Sequence, residues 1–321
     1  MIDLTQVSKP TDWSKVRREI EESLTRMLGS VPAERTELQI KVMDESQGPH
    51  YVRRRINYFV EEWQRVSGWL FIPEGRDEFP GLVCCHDATP QGKDEAAGIS
   101  GDPRLAFAQH YAELGYVTLA PDCITAGERV TPGLKPYDAS GFYKDNPDAS
   151  LLGKMLYDHS RALDVLAETK QVDPARMGAV GHGLGGTNAL LLAAMDERAQ
   201  ACVASCAFTR FSDDPDPARW ANANGLASMP RLQDALDAGE LPFDWEHVLA
   251  LAAPSAVLLL TALNDQMLPK TSSCKEAVKQ AKHIYKLLGA AGALENYTHK
   301  DGRQVASLTL QVADEWLDRW L

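Results

Sequence analysis

Apolar and polar positions follow three successive patterns along the chain. Over residues 11–28 the apolar residues Trp13, Val16, Ile20, Leu24, Met27 and Leu28 recur at helical spacing, which predicts an amphipathic helix capped by Thr11 or Asp12 and ended by Gly29. From Thr36 to Pro73 the runs ELQIKVM, YVRRRINYFV and VSGWLFIP alternate every second residue and predict antiparallel strands in hairpins. Arg53 to Arg55 there read as a solvated strand face rather than an anion site. Beyond Pro80, short continuous apolar runs alternate with helical segments, the pattern of a parallel sheet covered on both faces. Strands are expected at 81–85, 116–120, 177–180, 201–207, 256–262 and 293–297, and helices at 103–114, 151–169, 184–195, 272–288 and 304–321.

The fold class that follows is α/β: a mostly parallel central sheet with helices on both faces, plus an N-terminal helix and antiparallel hairpin strands. Residues 1–75 are read as continuous with the sheet and 76–321 as the core, a single domain overall. Two long stretches, 124–150 and 209–246, follow the C-terminal ends of strands, the edge at which open α/β sheets bind ligands, and are expected to wall a pocket.

The sharpest local pattern is RMGAVGHGLGGTN, Arg176 to Asn188, a strand that breaks into glycines and then a helix. A nucleophile elbow, GxSxG, has this shape: its nucleophile sits at positive φ on a tight turn, with small residues where backbones crowd. Gly181 and Gly185 hold the flanking places, but Gly183 occupies the nucleophile's own position and has no side chain with which to attack. The same residues also spell GxGxxG through Gly181, Gly183 and Gly186, a dinucleotide fingerprint, for which Arg210 would have to meet a 2′-phosphate. That is the weaker reading, because the fingerprint expects an acidic residue about twenty positions on.

Downstream, Asp265 follows one predicted strand and His299 the next. The order nucleophile position, acid, histidine favours the elbow. Asp265 and His299 are the expected acid and base, with Asp301 the second choice of acid. An oxyanion hole needs two backbone N–H groups, expected from Leu184 and from the loop beginning His86-Asp87. His86, His182 and Trp220 are the candidate substrate-binding residues, although His182 also reads as packing beneath the elbow and His86 as positioning the loop. Lys93, Asp94 and Glu95 read as polar residues fixing that loop rather than a metal site. Cys206 is a candidate replacement nucleophile, against the commoner reading of a buried structural thiol.

With these residues in place the chain resembles the α/β-hydrolase superfamily, and within it the bacterial esterases of dienelactone hydrolase and acetyl xylan esterase type. The resemblance rests on CCHDATPQGKDEAAGISGDP, GYVTLAPD, DPARMGAVGHGLGGTNALLLAAMDER, ASCAF, LPFDWEHVLALAAP, LNDQMLP and YTHKDG, and spans roughly residues 10–321. It implies ester hydrolysis with Asp265 and His299 as acid and base. The departure is Gly183, where such enzymes carry Ser or Cys. Three functions stay open: an esterase inactive as a serine hydrolase through engineered or natural loss of its nucleophile; an enzyme using the His299–Asp265 pair as a general base for lyase, hydratase, decarboxylase or cyclase chemistry; and a small-molecule-binding pseudoenzyme.

Charge and composition narrow the partners. A net charge of −12 with scattered acids argues against nucleic acid and anionic membranes. The opening MIDLTQVSKPTDW has neither a basic nor an apolar targeting segment, so a cytoplasmic protein is expected. The six cysteines follow no metal-ligand spacing; neither metal nor cofactor is expected. A small-molecule substrate is the expected partner, and homo-oligomerisation is left open.

Overall fold

The computed structural model describes residues 1–32, 34–222 and 229–321; part of the expected 209–246 pocket wall, 223–228, lies outside the described residues. Helix α1 (Pro10–Leu28) buries Trp13, Ile20, Leu24, Met27 and Leu28. Its N-cap is Lys9 rather than Thr11 or Asp12, because Pro10 opens the helix. Proline's fixed φ suits the first helical position, where its missing N–H would have had no partner. Gly29 at φ +77° ends the helix.

Strands β1 (Lys41–Gln47), β2 (Tyr51–Glu61) and β3 (Gln64–Pro73) form the antiparallel side of the sheet, with every β1 residue at least partly exposed. The three consecutive arginines have local partners. Arg54 pairs with Glu45 at 2.6 Å, Arg55 with Glu128 at 3.5 Å, and the Arg53 guanidinium lies over the Trp69 ring.

After β4 (Phe79–Cys85) come α2 (Lys93–Ala96), α3 (Phe107–Glu113) and β5 (Val117–Pro121). Next are α4 (Ser140–Asp145), α5 (Leu151–Glu168), β6 (Val172–His182), α6 (Leu184–Met195) and β7 (Ala199–Ser205). The chain continues through α7 (Leu232–Asp237), α8 (Trp245–Ala252), β8 (Ala256–Ala262), α9 (Cys274–Leu287), β9 (Leu294–His299) and α10 (Ser307–Trp320). The nine strands make one sheet in the order β1-β2-β3-β5-β4-β6-β7-β8-β9, and from β5 onward all neighbours are parallel. Helix α8 is absent from the sequence reading. Its eight residues are all buried, so no polar face marks its period, although Asp244 and His247 form a capping box at its start.

Strand β6 sits in the middle of the sheet, and α6 follows it almost without a loop. Leu184 to Ala194 are all buried. This close return explains the glycines: a Cβ on Gly185 would lie well inside contact with the Cys85 carbonyl oxygen, and one on Gly181 with the Gly185 backbone. Backbone cannot swing aside as a side-chain tip can. Gly185→Ala should therefore cost roughly 1–3 kcal/mol in denaturant unfolding; an unchanged midpoint would show that the helix can shift to make room.

The 124–150 stretch is tied down by charge. Arg129 meets the Asp158 carboxylate of α5 at 2.6 Å, Lys154 meets its other oxygen at 2.7 Å, and Lys154 also reaches Glu61 of β2 at 2.5 Å. Nearby, Asp122 accepts from the backbone N–H groups of Lys93 and Glu128 and pairs with Lys93 Nζ at 2.7 Å, which fixes the loop after β4 against the one after β5.

Candidate active site

The β6–α6 turn carries Gly183 at φ +57°, ψ −120°. Its N–H donates to Ser205 O of β7 and its carbonyl accepts from Thr187 N–H, so neighbouring backbone fixes the turn. The next N–H, on Leu184, lacks a helical partner, as first-turn donors do. It donates instead to Asp87 Oδ1 at 2.9 Å.

Asp87 is held from several directions. His86 Nδ1–H donates to the Asp87 carbonyl at 2.7 Å while its Nε2 accepts from Cys123 N–H at 3.0 Å, a pairing that uses the neutral ring on both sides. Tyr137, from the 124–150 stretch, donates to the carbonyls of Asp87 and Thr89 at 3.1 and 2.7 Å. Asp87 Oδ1 accepts a second backbone N–H, that of Ala88, at 2.7 Å. A Cβ on residue 183 would overlap both this carboxylate and Arg303 Nη2. The space a nucleophile's side chain would use is therefore filled by groups from two other loops.

Asp265 follows β8, and its Oδ1 accepts from the N–H groups of Met267 and Leu268 at 2.8 and 3.0 Å. Its Oδ2 accepts from Arg303 Nη1 at 3.1 Å, and Arg303 Nη2 stands 3.9 Å from Asp87 Oδ2. The expected Asp265–His299 pair is thus replaced by an Asp265–Arg303–Asp87 chain, since a guanidinium is a stronger partner for a buried carboxylate than a neutral imidazole. His299 closes β9 with Nδ1 3.4 Å from Asp301 Oδ2, and neither ring nitrogen has a hydrogen-bond partner among the described residues. Burial keeps its ring below the ordinary histidine range, against the opposing pull of Asp301. Asn264 clamps the loop beyond, donating to Lys300 O and accepting from Gly302 N–H, both at 2.9 Å.

A cavity of about 350 Å³ opens in front of Gly183, lined by Asp87, Leu184, Trp220, Met267 and Arg303 among others. The 209–246 stretch contributes Arg219 and Trp220 to its wall, whereas the 124–150 stretch contributes no lining residue and braces Asp87 from behind. His86 and His182, expected to bind substrate, do not line it. His182 is buried with Nδ1 2.9 Å from Ser205 Oγ, and burial pushes its ring down to about 4 despite the nearby Asp87 carboxylate. The x position of the turn points into the sheet, so its residue packs.

Cys206 reaches the cavity at the end of β7, but burial and then Asp265 push its thiol up to about 12. Thiolate is the reactive form. Iodoacetamide at pH 8 should leave Cys206 unmodified in the folded chain; rapid labelling there would restore it as a nucleophile.

Arg210 is occupied as well. It forms a two-point pair with Glu246 at 2.9 Å and bonds Asp213 at 2.7 Å. All three guanidinium nitrogens of Arg210 are engaged by these carboxylates, which removes the 2′-phosphate partner that the dinucleotide reading needs. Among the described residues no group of His, Cys, Asp or Glu is placed to hold a metal ion, and no helix is long and apolar enough to cross a membrane.

Strand order and turn define an α/β-hydrolase fold. Residues 67–216, which run from β3 through β7 and include the turn at Gly183, match the family model described as the Dienelactone hydrolase family. YtaP of Bacillus subtilis (strain 168), named as a hydrolase, is 23% identical over 315 residues, covering 95% of this chain and all of that protein. Among solved structures, a glucuronoyl esterase from Solibacter usitatus superposes with a TM-score of 0.76 at 17% identity, covering 97% of this chain and 94% of that one. Acetyl xylan esterase 1 from Thermoanaerobacterium sp. gives 0.61 at 17% identity and the same coverage. The chain thus has the fold of these esterases.

Proposed function

We propose that the chain is a carboxylic-ester hydrolase by descent that performs no acyl transfer at the β6–α6 turn, and whose cavity takes a small or medium carbonyl compound. Glycine at the nucleophile position removes the covalent route. The observation that carries the reading is the placement of Asp87 Oδ1 against the N–H groups of both Leu184 and Ala88. In a working esterase those two donors would form the oxyanion hole and stay empty until the substrate's carbonyl oxygen becomes negative. A carboxylate seated there repels that oxygen and blocks its entry. Loss of the nucleophile and occupation of the hole therefore support each other, as expected of a settled natural site rather than a single engineered replacement.

A second reading has its own support. Neither nitrogen of the buried His299 ring is hydrogen-bonded among the described residues, Asp301 Oδ2 lies 3.4 Å from Nδ1, and burial holds the ring below the ordinary histidine range, so a substrate that reached it would meet a general base that needs no elbow nucleophile. The test of the main reading is hydrolysis of p-nitrophenyl esters of graded acyl length by the unaltered chain and by His299→Ala. Rates at the uncatalysed background in both are expected. Turnover by the unaltered chain that disappears with His299 would overturn it.

A further inference from the structure

We infer that the cavity is a binding site for the zwitterion of an apolar α-amino acid, with the ligand's carboxylate on Arg303 and its ammonium on Asp87. The inference rests on the reading of the turn at Gly183 as silent, which lets the cavity hold such a molecule without consuming it. The two charged side chains are firmly held and yet left incomplete. Oδ1 of Asp87 is fixed by the N–H groups of Leu184 and Ala88, but Oδ2 accepts no hydrogen bond among the described residues. Arg303 is anchored through Nη1 on Asp265, while its Nη2 makes none among them. The two open atoms, Nη2 and Oδ2, stand 3.9 Å apart, too far to bond each other. Their side chains are 18% and 16% exposed, and neither atom is closed to solvent. Both residues line the cavity. Arg219, the other cation in the wall, is engaged by Asp214 and the Met267 carbonyl, and both oxygens of Asp265 are bonded. One charged donor and one charged acceptor are thus left side by side.

That pair selects its ligand by charge. A simple carboxylate on Nη2 would lie beside the negative Oδ2, and a simple ammonium on Oδ2 beside the positive Nη2, so each gains one contact and meets one repulsion. A molecule carrying both charges on neighbouring atoms meets neither. In an α-amino acid the nitrogen and the nearer carboxylate oxygen are about 3 Å apart, from standard N–Cα, Cα–C and C–O lengths. Two charge-assisted bonds to protein atoms 3.9 Å apart therefore need diverge only slightly. The ligand's side chain enters a space walled by Leu184, Trp220, Met267 and Leu268. At about 350 Å³ the cavity lies near the lower end of the roughly 300–1,000 Å³ of small-molecule sites, which suits a single compact molecule. Both anchors are in place before a ligand arrives. His86 and Tyr137 hold the Asp87 backbone carbonyl, and Asp265 ties Arg303 to the N–H groups of Met267 and Leu268. Little order has to be gained on binding, which favours affinity for so small a ligand.

The experiment is equilibrium dialysis of the unaltered chain at pH 7 against L-leucine, glycine, isoamylamine, isocaproate and isoamyl alcohol. Saturable one-to-one binding of leucine is expected, with each of the other four weaker by about 10-fold or more, since each lacks the apolar side chain or at least one of the two charges. Asp87→Asn should weaken leucine by about 10-fold or more and strengthen isocaproate, because the negative charge facing that carboxylate is gone. A residue that only shaped the cavity would move both ligands the same way. Absence of leucine binding to the unaltered chain would overturn the proposal. So would isocaproate or isoamylamine binding as tightly as leucine, and so would isoamyl alcohol, whose hydroxyl would then bridge the pair. The ranking on the unaltered chain stands by itself if the variant does not fold. Turnover of p-nitrophenyl esters would sink the silence of Gly183 and leave this ranking in place, whereas background ester rates with no leucine bound would sink only the site.

Discussion

Gly183→Ser alone is expected to leave ester hydrolysis at background and to destabilise the chain, whereas Gly183→Ser combined with Asp87→Ala should hydrolyse activated esters roughly 100-fold or more above either single variant. The single substitution fails for two reasons. A side chain at φ +57°, ψ −120° carries backbone strain of about 1–3 kcal/mol. The new Cβ also collides with the Asp87 carboxylate and with Arg303 Nη2, and Asp87 still fills the donors that would stabilise an acyl transition state. Asp87→Ala empties the donors and keeps the Ala88 N–H in the loop, which Tyr137 and His86 hold through the backbone carbonyl at position 87 rather than through the side chain. Arg303 remains anchored to Asp265. Rates with p-nitrophenyl acetate for the four combinations, and again with His299→Ala added to the double variant, decide the matter. Efficient hydrolysis by Gly183→Ser alone would show that Asp87 yields easily and does not block the site.

The largest loss of stability is expected at Asp158→Ala, about 3–5 kcal/mol in denaturant unfolding at neutral pH. The carboxylate is buried in α5 between Arg129 and Lys154, and its removal leaves the deeply buried Arg129 guanidinium with only the Asp122 carbonyl as partner among the described residues. Lys154 keeps Glu61, so the penalty centres on Arg129. Burial by itself would raise the Asp158 pKa, but Arg129 and Lys154 outweigh it and hold the carboxyl below the usual range. A depressed folded value means that the stabilisation is present above the unfolded value, near ~4, and is lost as pH falls through the folded one. The unaltered chain and the variant should therefore converge in stability only under strongly acidic conditions. A variant within 1 kcal/mol of the unaltered chain at pH 7 would mean that water replaces the missing carboxylate.

Much of this architecture was legible because period and burial agree. The stripe of α1, the alternation before Pro73 and the continuous apolar strands after Pro80 each record how many faces of an element are covered. Where that relation breaks, the reading fails: α8 is covered all round and carries no period, and α1 starts at Pro10 because a backbone rule outranks the side-chain caps beside it. The candidate site was legible where backbone geometry writes itself in glycine, as at Gly181, Gly183 and Gly185. It was not legible in its side-chain pairings. Arg303 is one arginine in the polar run HKDGRQ, and nothing in that spacing says it will take Asp265 from His299. Asp87 was expected to lend its backbone, whereas the structure puts its carboxylate to use. The choice between those roles depends on which donors stand opposite, and Leu184 is brought there by a strand remote in sequence.

Strand β1 ends the sheet, with no strand beyond it among the described residues, and an open strand edge can template another chain. Two local features interrupt that template. The pairing with β2 slips between Val42 and Asp44, which kinks the edge at Met43, and Lys41, Asp44 and Glu45 place charges of both signs along a strand that also exposes Val42 and Met43. Resistance to strand capture on the antiparallel side of the sheet thus rests on one short strand. Charges on that edge restrain aggregation in a way that the overall −12 cannot, because a net charge acts on whole molecules at a distance while an edge strand is captured at contact.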